Sequence, residues 1–87
     1  MTRFSIELSP GAMKDLRRIK DRRLHGRLTD RIAELGVDPR PVGVVKLVGE
    51  DDEWRVRVGD WRIIYRIDDG VLVVLVVTVS PRGGVYR

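Results

Sequence analysis

Phe4, Ile6 and Leu8 alternate with Ser5 and Glu7 near the start of the chain. Alternation with period two predicts a short strand with one buried face. Ser9-Pro10 follows and predicts a helix start: the serine hydroxyl can cap free N–H groups, and proline already holds helical φ. Met13, Leu16 and Ile19 then return every three residues, giving the helix one apolar stripe to about Lys20. A second helix is predicted from roughly Arg22 to Leu35, where Leu24, Leu28, Ile32 and Leu35 recur at steps of four, four and three. Gly36 is expected to stop it, because glycine readily takes the left-handed conformation that ends many helices.

The segment Val37 to Gly43 contains Pro39 and Pro41 and reads as a loop, since proline has no N–H to give a ladder. Val44 to Val48 can add a short strand. WRVRVGDWRIIYRIDDG, Trp54 to Gly70, reads as two strands joined by the two-residue turn Gly59-Asp60. That turn sets Val58 opposite Trp61 and Arg57 opposite Arg62. A second turn at Asp69-Gly70 leads into VLVVLVVTV, which is apolar on both faces and therefore expected as the buried central strand. A tight second turn would place Val77 opposite Arg62 and Val73 opposite Arg66. The order β-α-α-β-β-β predicts an α+β domain spanning residues 1–87. Its N-terminal strand and two-helix hairpin are expected to pack with a small antiparallel β-sheet, the helices covering one face.

Composition narrows the possibilities. With no cysteine and one histidine in 87 residues, neither a disulfide framework, a thiolate metal site nor a multi-histidine metal site is expected. The sole histidine, His25, falls among charged residues of the second helix and is expected at the surface. MTRFSIELSP has no charged-then-apolar leader, and VLVVLVV is far shorter than the roughly 20 residues a spanning helix needs. Cytoplasmic residence without membrane contact is the expectation. The net charge of +4, with a pI near 10.1, favours an anionic partner. Residues 1–43 carry ten Lys/Arg against six Asp/Glu, and residues 44–87 carry seven of each. The second half is neutral only as a sum, because its acids gather at expected turns while its arginines lie on strands. The basic helical run KDLRRIKDRRLHGR suits salt-sensitive contact with a phosphate backbone, such as ribosomal RNA.

Alternation then sorts the hairpin. Trp54, Val56, Val58, Ile63 and Tyr65 suit the helix side, and Arg55, Arg57, Arg62 and Arg66 suit the other. Like charges opposite each other in a ladder cost up to about 1 kcal/mol, so an anionic ligand would explain their retention. The central strand ends near the Gly59-Asp60 turn and launches Arg82 and Tyr86 towards Arg57 and Arg62. The pattern places no carboxylate among these guanidiniums. Such a cluster suits a phosphodiester, which arginine binds bidentately. It also suits RNA cleavage by the 2′-OH, where charge builds on a pentavalent phosphorane and each well-placed donor contributes about 3–4 kcal/mol. Tyr86 is the nearby group able to move a proton, whereas arginine only stabilises charge.

The frame WRVRVGDWRIIYRIDDGVLVVLVVTVSPRGGVYR, with LSPGAMKDLRRI and KLVGEDDEWR upstream, resembles the RelE family of bacterial toxin endoribonucleases, within the RelE/ParE superfamily of type II toxin–antitoxin systems. The likeness covers nearly the whole chain. It implies a RelE/ParE-like fold and cleavage of messenger RNA in the ribosomal A site without a metal or other cofactor, inhibiting translation. It also implies neutralisation by a cognate RelB-, YefM- or Phd-like antitoxin, with operator DNA bound only through the antitoxin complex. By the family's motif, the active positions map to Arg55 and Arg57, then Arg62, Arg82 and Tyr86. Arg57, Arg62 and Arg82 would stabilise the scissile phosphate with Arg55 assisting, Tyr86 would act as base or stack on a base, and Arg66 and Arg87 would contact RNA. Relatives often carry lysines at positions 55 and 57, and a histidine and second arginine where Pro81 and Gly83 stand. Two other readings stay open: a ParE-like, non-enzymatic inhibitor of DNA gyrase, and a catalytically weak nucleic-acid-binding corepressor.

Overall fold

The computed structural model describes residues 3–49 and 52–81. Its elements are β1 (Ser5–Leu8), α1 (Pro10–Arg17), α2 (Arg22–Val37), β2 (Val45–Lys46), β3 (Glu53–Val58), β4 (Trp61–Asp68) and β5 (Val73–Pro81). The strands form one sheet in the order β1-β5-β4-β3-β2. The α+β architecture is the expected one, with β5 interior between β1 and β4 and β4 at the centre. β1 runs parallel to β5, from Ser5 opposite Val73 to Leu8 opposite Val76, so the sheet is mixed rather than antiparallel throughout. The intervening helices and strands supply the long crossover that a parallel pair requires.

Local chemistry explains the helix starts. Ser9 Oγ accepts the Ala12 N–H at 3.0 Å, with Pro10 beginning α1. Asp21 caps α2 by accepting the Arg23 and Leu24 N–H groups at 3.0 and 3.2 Å. The predicted stop at Gly36 is corrected: α2 continues through it to Val37. It ends before Pro39, whose ring disfavours helical geometry in the residue ahead. Gly36 serves close approach instead. It is buried, its carbonyl accepts the Phe4 N–H at 2.7 Å, and a Cβ there would lie 2.9 Å from the Phe4 carbonyl oxygen.

The first hairpin has the predicted register, with Val58 opposite Trp61 and Arg57 opposite Arg62. The second does not. Asp68 pairs with Val73, so residues 69–72 make the turn. Asp68 Oδ1 closes it by accepting the Gly70 and Val71 N–H groups at 2.9 and 3.1 Å, and Leu72 completes it in the left-handed region at φ 58°. Tyr65 then faces Val76 while Ile64 faces Thr78, leaving Val77 as the extra residue of a bulge. Turn and bulge together set Ser80 opposite Arg62 and Leu75 opposite Arg66, replacing the expected Val77 and Val73. The bulge carbonyl is not stranded, because Ser9 Oγ donates to Val77 O at 2.9 Å. Asp15 Oδ2 likewise accepts the Val79 N–H at 3.0 Å, where β1 no longer covers the β5 edge.

Leu16, Leu28, Ile32 and Leu35 from the helices pack against Val56, Val58, Ile63, Tyr65, Val74, Val76 and Val79 from the sheet. This is the helix side that alternation predicted for the hairpin. Trp54 and Trp61 pack at its margin, and Trp54 also carries the Arg40 guanidinium 5.2 Å from its ring centre. Tyr65 is fully buried, and its hydroxyl donates to the Pro39 carbonyl at 2.7 Å. Burial pushes its phenol up to about 12. Arg40 also grips Asp69 with two nitrogens, at 2.8 and 3.2 Å. The loop after α2 is thereby tied both to the core and to the second hairpin.

Candidate functional site

The sheet face turned from the helices is built by register. Glu53, Arg55 and Arg57 on β3 stand opposite Arg66, Ile64 and Arg62 on β4, and Ser80 on β5 stands opposite Arg62. All four arginines therefore project from one face, as alternation requires. They line more than one recess. Arg55 and Arg62 line a recess of about 380 Å³ together with Leu47, Val48, Glu53 and Ile64. Arg57 lines another near the hairpin tip, with Arg27, Asp30, Arg31 and Glu34 of α2. Arg66 lies towards the far end, beside Glu7, Asp52 and Asp68. Arg57 and Arg62, although paired across the ladder, thus line different recesses.

The expectation of a face without carboxylates is corrected. Glu53 sits directly opposite Arg66, and both Nε and Nη2 of Arg66 donate to its Oε2, at 3.4 and 3.3 Å. Glu53 shares the parity of Arg55 and Arg57, two and four residues before them, but the acidic run preceding the strand disguised it as part of a turn. The face consequently grades from cationic at Arg55, Arg57 and Arg62 to acidic at Glu7, Asp52 and Asp68. Within the cationic part, the Arg55 Nε and the Ser80 Oγ are buried and make no hydrogen bond among the described residues. Buried polar atoms of this kind call for an explanation, such as a ligand or water. Arg82, Tyr86 and Arg87 lie outside the described residues. His25 belongs to α2, across the sheet from this face.

Two guanidiniums in a recess with an aliphatic wall can bind a phosphodiester and stabilise added negative charge on it. Among the described residues no group of His, Cys, Asp or Glu side chains is arranged to hold a metal ion. Among the same residues, no helix is long and apolar enough to cross a membrane. Sequence reasoning did not anticipate Leu47, Val48, Glu53, Ser80 and Arg31 beside these arginines. Only Glu53 carried a local signal, its parity. The others are brought to the site by the β2 pairing, the bulge and the packing of α2.

Residues 6–86 match the family of ParE toxins of type II toxin–antitoxin systems, parDE. The chain belongs to this family. Several similar proteins of the wider RelE/ParE superfamily carry RelE names. The toxin is 28% identical, over 98% of its own length and 97% of the relative's, to the candidate toxin RelE1 of Methanocaldococcus jannaschii. It is similar to the crystal structure of the archaeal RelE–RelB complex from Pyrococcus horikoshii, with 28% identity, TM-score 0.81, and coverage of 97% and 99% of the two chains. It is likewise similar to the toxin–antitoxin complex RelBE2 of Mycobacterium tuberculosis, with 25% identity, TM-score 0.83 and 94% of each chain covered. The RelE/ParE-like fold expected for the toxin is thus the one observed.

Proposed function

We propose that this toxin is a ribosome-dependent endoribonuclease that cuts messenger RNA in the A site and stops translation until a cognate antitoxin neutralises it. The observation that supports this most is the convergence of Arg55 and Arg62 in one recess of the helix-free face, with Glu53 drawn towards Arg66 at its rim. Arg62 and Arg55 hold the scissile phosphate, and Arg57 adds positive potential from the strand edge. Arg82 completes the cation set, and Tyr86 either takes the 2′-OH proton or orients a base by stacking. Arg66 and Arg87 contact flanking RNA. Charge stabilisation by guanidiniums meets the main demand of the phosphorane without a cofactor. A RelB-like antitoxin is the partner that the RelE–RelB relatives support, and operator DNA is reached through that complex. The cytoplasm is where such a toxin meets translating ribosomes.

A second reading, inhibition of DNA gyrase without catalysis, is favoured by the ParE description of the matching family. Primer extension on a defined mRNA, ribosome-bound and naked, separates the two. Cuts confined to A-site codons, absent on naked RNA, are expected. Arg62→Ala and Arg82→Ala should each reduce cleavage by about 10²–10³-fold. Intact mRNA on every template, with gyrase supercoiling blocked instead, would refute the nuclease reading.

A further inference from the structure

The recess at Arg55 and Arg62 has more in it than a phosphate needs. Leu47, Val48 and Ile64 add an aliphatic wall to a charged, wet face. Ile64 is buried as the floor, while Val48 stands fully in solvent at the rim. An inorganic anion gains nothing from such a wall, whereas an apolar surface beside phosphate donors suits the flat face of a base splayed from an RNA strand.

The rim also carries a polar element. Arg66 engages Glu53 through Oε2 alone, and Oε1 accepts no hydrogen bond among the described residues. An ionised carboxylate oxygen can only accept. It therefore attracts the exocyclic amine of cytosine, adenine or guanine and repels the carbonyl oxygen that uracil presents at the same edge. Arg66 holds the carboxylate in place, so the acceptor is fixed before a ligand arrives. We propose that this recess is a nucleobase subsite, in which Leu47, Val48 and Ile64 seat the base adjoining the bound phosphate and Glu53 selects an amino-bearing base over uracil. The inference rests on the RNA-cleaving reading and adds to it a specificity determinant, Glu53.

The test titrates the free toxin with inorganic phosphate, cytidine 3′-monophosphate and uridine 3′-monophosphate. Side-chain resonances of Arg55 and Arg62 and methyl resonances of Leu47, Val48 and Ile64 are followed by NMR. Phosphate should move only the arginine signals. Both nucleotides should also move the methyls, with the cytidine compound binding about fivefold tighter than the uridine one. Glu53→Gln should bring the two nucleotides within about twofold of each other, because an amide can turn either its donor or its acceptor to the base. Val48→Asn, at a fully exposed position, should weaken both nucleotides while leaving phosphate unchanged. Nucleotides that bind no tighter than phosphate, or that leave the methyls unmoved, overturn the subsite while phosphate binding upholds the cation site. Equal affinity for the two nucleotides in the unsubstituted toxin overturns selection by Glu53. Silence of Arg55 and Arg62 towards all three ligands overturns the subsite together with the nuclease reading.

Discussion

Alanine at Gly36 and alanine at Gly26 are the same chemical change on the same helix, and they should shift stability in opposite directions. Glycine inside a helix is about 1 kcal/mol less favourable than alanine, mainly through the backbone freedom it loses on folding. At Gly26 nothing lies within 4 Å of the added methyl, so only that gain remains. At Gly36 the new Cβ would lie 2.9 Å from the Phe4 carbonyl oxygen and 3.4 Å from Ile6 Cδ1. A backbone oxygen cannot rotate aside, so α2 and β1 must separate. Separation strains the Phe4 N–H to Gly36 carbonyl bond, 2.7 Å long and typically contributing about 1 kcal/mol. Overpacking of a tight contact adds about 1–3 kcal/mol. Subtracting the propensity gain leaves Gly36→Ala about 1–2 kcal/mol less stable and Gly26→Ala about 0.5–1 kcal/mol more stable. In a domain of this size 1 kcal/mol moves the midpoint by about 4–8 °C. Thermal unfolding followed by circular dichroism should therefore lower Tm by about 5–15 °C for the first variant and raise it by a few degrees for the second. A Gly36→Ala variant as stable as the unsubstituted chain would refute the argument from close approach.

Three further outcomes follow from other contacts. Ser9→Ala removes a helix cap and also the donor to the bulge carbonyl, and should cost about 2 kcal/mol in urea unfolding; Ser9→Asp, which caps but cannot donate, should recover only part. An ordinary tyrosine ionises near pH 10, whereas burial holds Tyr65 at about 12. Its contribution is complete below about pH 10 and is lost as pH rises through 12, amounting to about 2–3 kcal/mol; absorbance at 295 nm should show tyrosinate appearing together with unfolding, and Tyr65→Phe should flatten that alkaline limb. Arg40 holds the Asp69 carboxyl below its ordinary range, so the pair supports the fold above about pH 4 and fails as pH falls through the lowered value. Asp69→Asn should shallow the acid limb measured by fluorescence, and added salt should shallow it in the unsubstituted chain.

What the sequence disclosed follows from how each signal is encoded. The Ser9-Pro10 start, the stripe of α2 and the Gly59-Asp60 hairpin are local, and each appears where periodicity or turn chemistry puts it. So does the single face bearing Arg55, Arg57, Arg62 and Arg66, since parity within a strand needs no knowledge of its neighbours. The β5 register was hidden because VLVVLVVTV is apolar on both faces, so no alternation betrays a slip. Gly36 was misread because a glycine that stops a helix and one that lets a helix touch a strand look alike in one dimension. Divergence of the arginines into separate recesses was equally illegible, being decided by α2 at one end and by Glu53 at the other.

The bulge at Val77 also sets the strand's tolerance of insertions and deletions. Ahead of it, Val74 and Val76 face the core; beyond it, Val79 faces the core and Ser80 faces the arginines. Losing Val77 would restore unbroken alternation and leave Val79 inward and Ser80 outward, because the ladder already runs from Val76 opposite Tyr65 to Thr78 opposite Ile64. The strand thus keeps its reading frame. Substitutions among its valines alter volume and a deletion at the bulge is absorbed, whereas a single-residue insertion between Val76 and Ser80 must either enlarge the bulge or exchange the inside of the strand's far end for its outside.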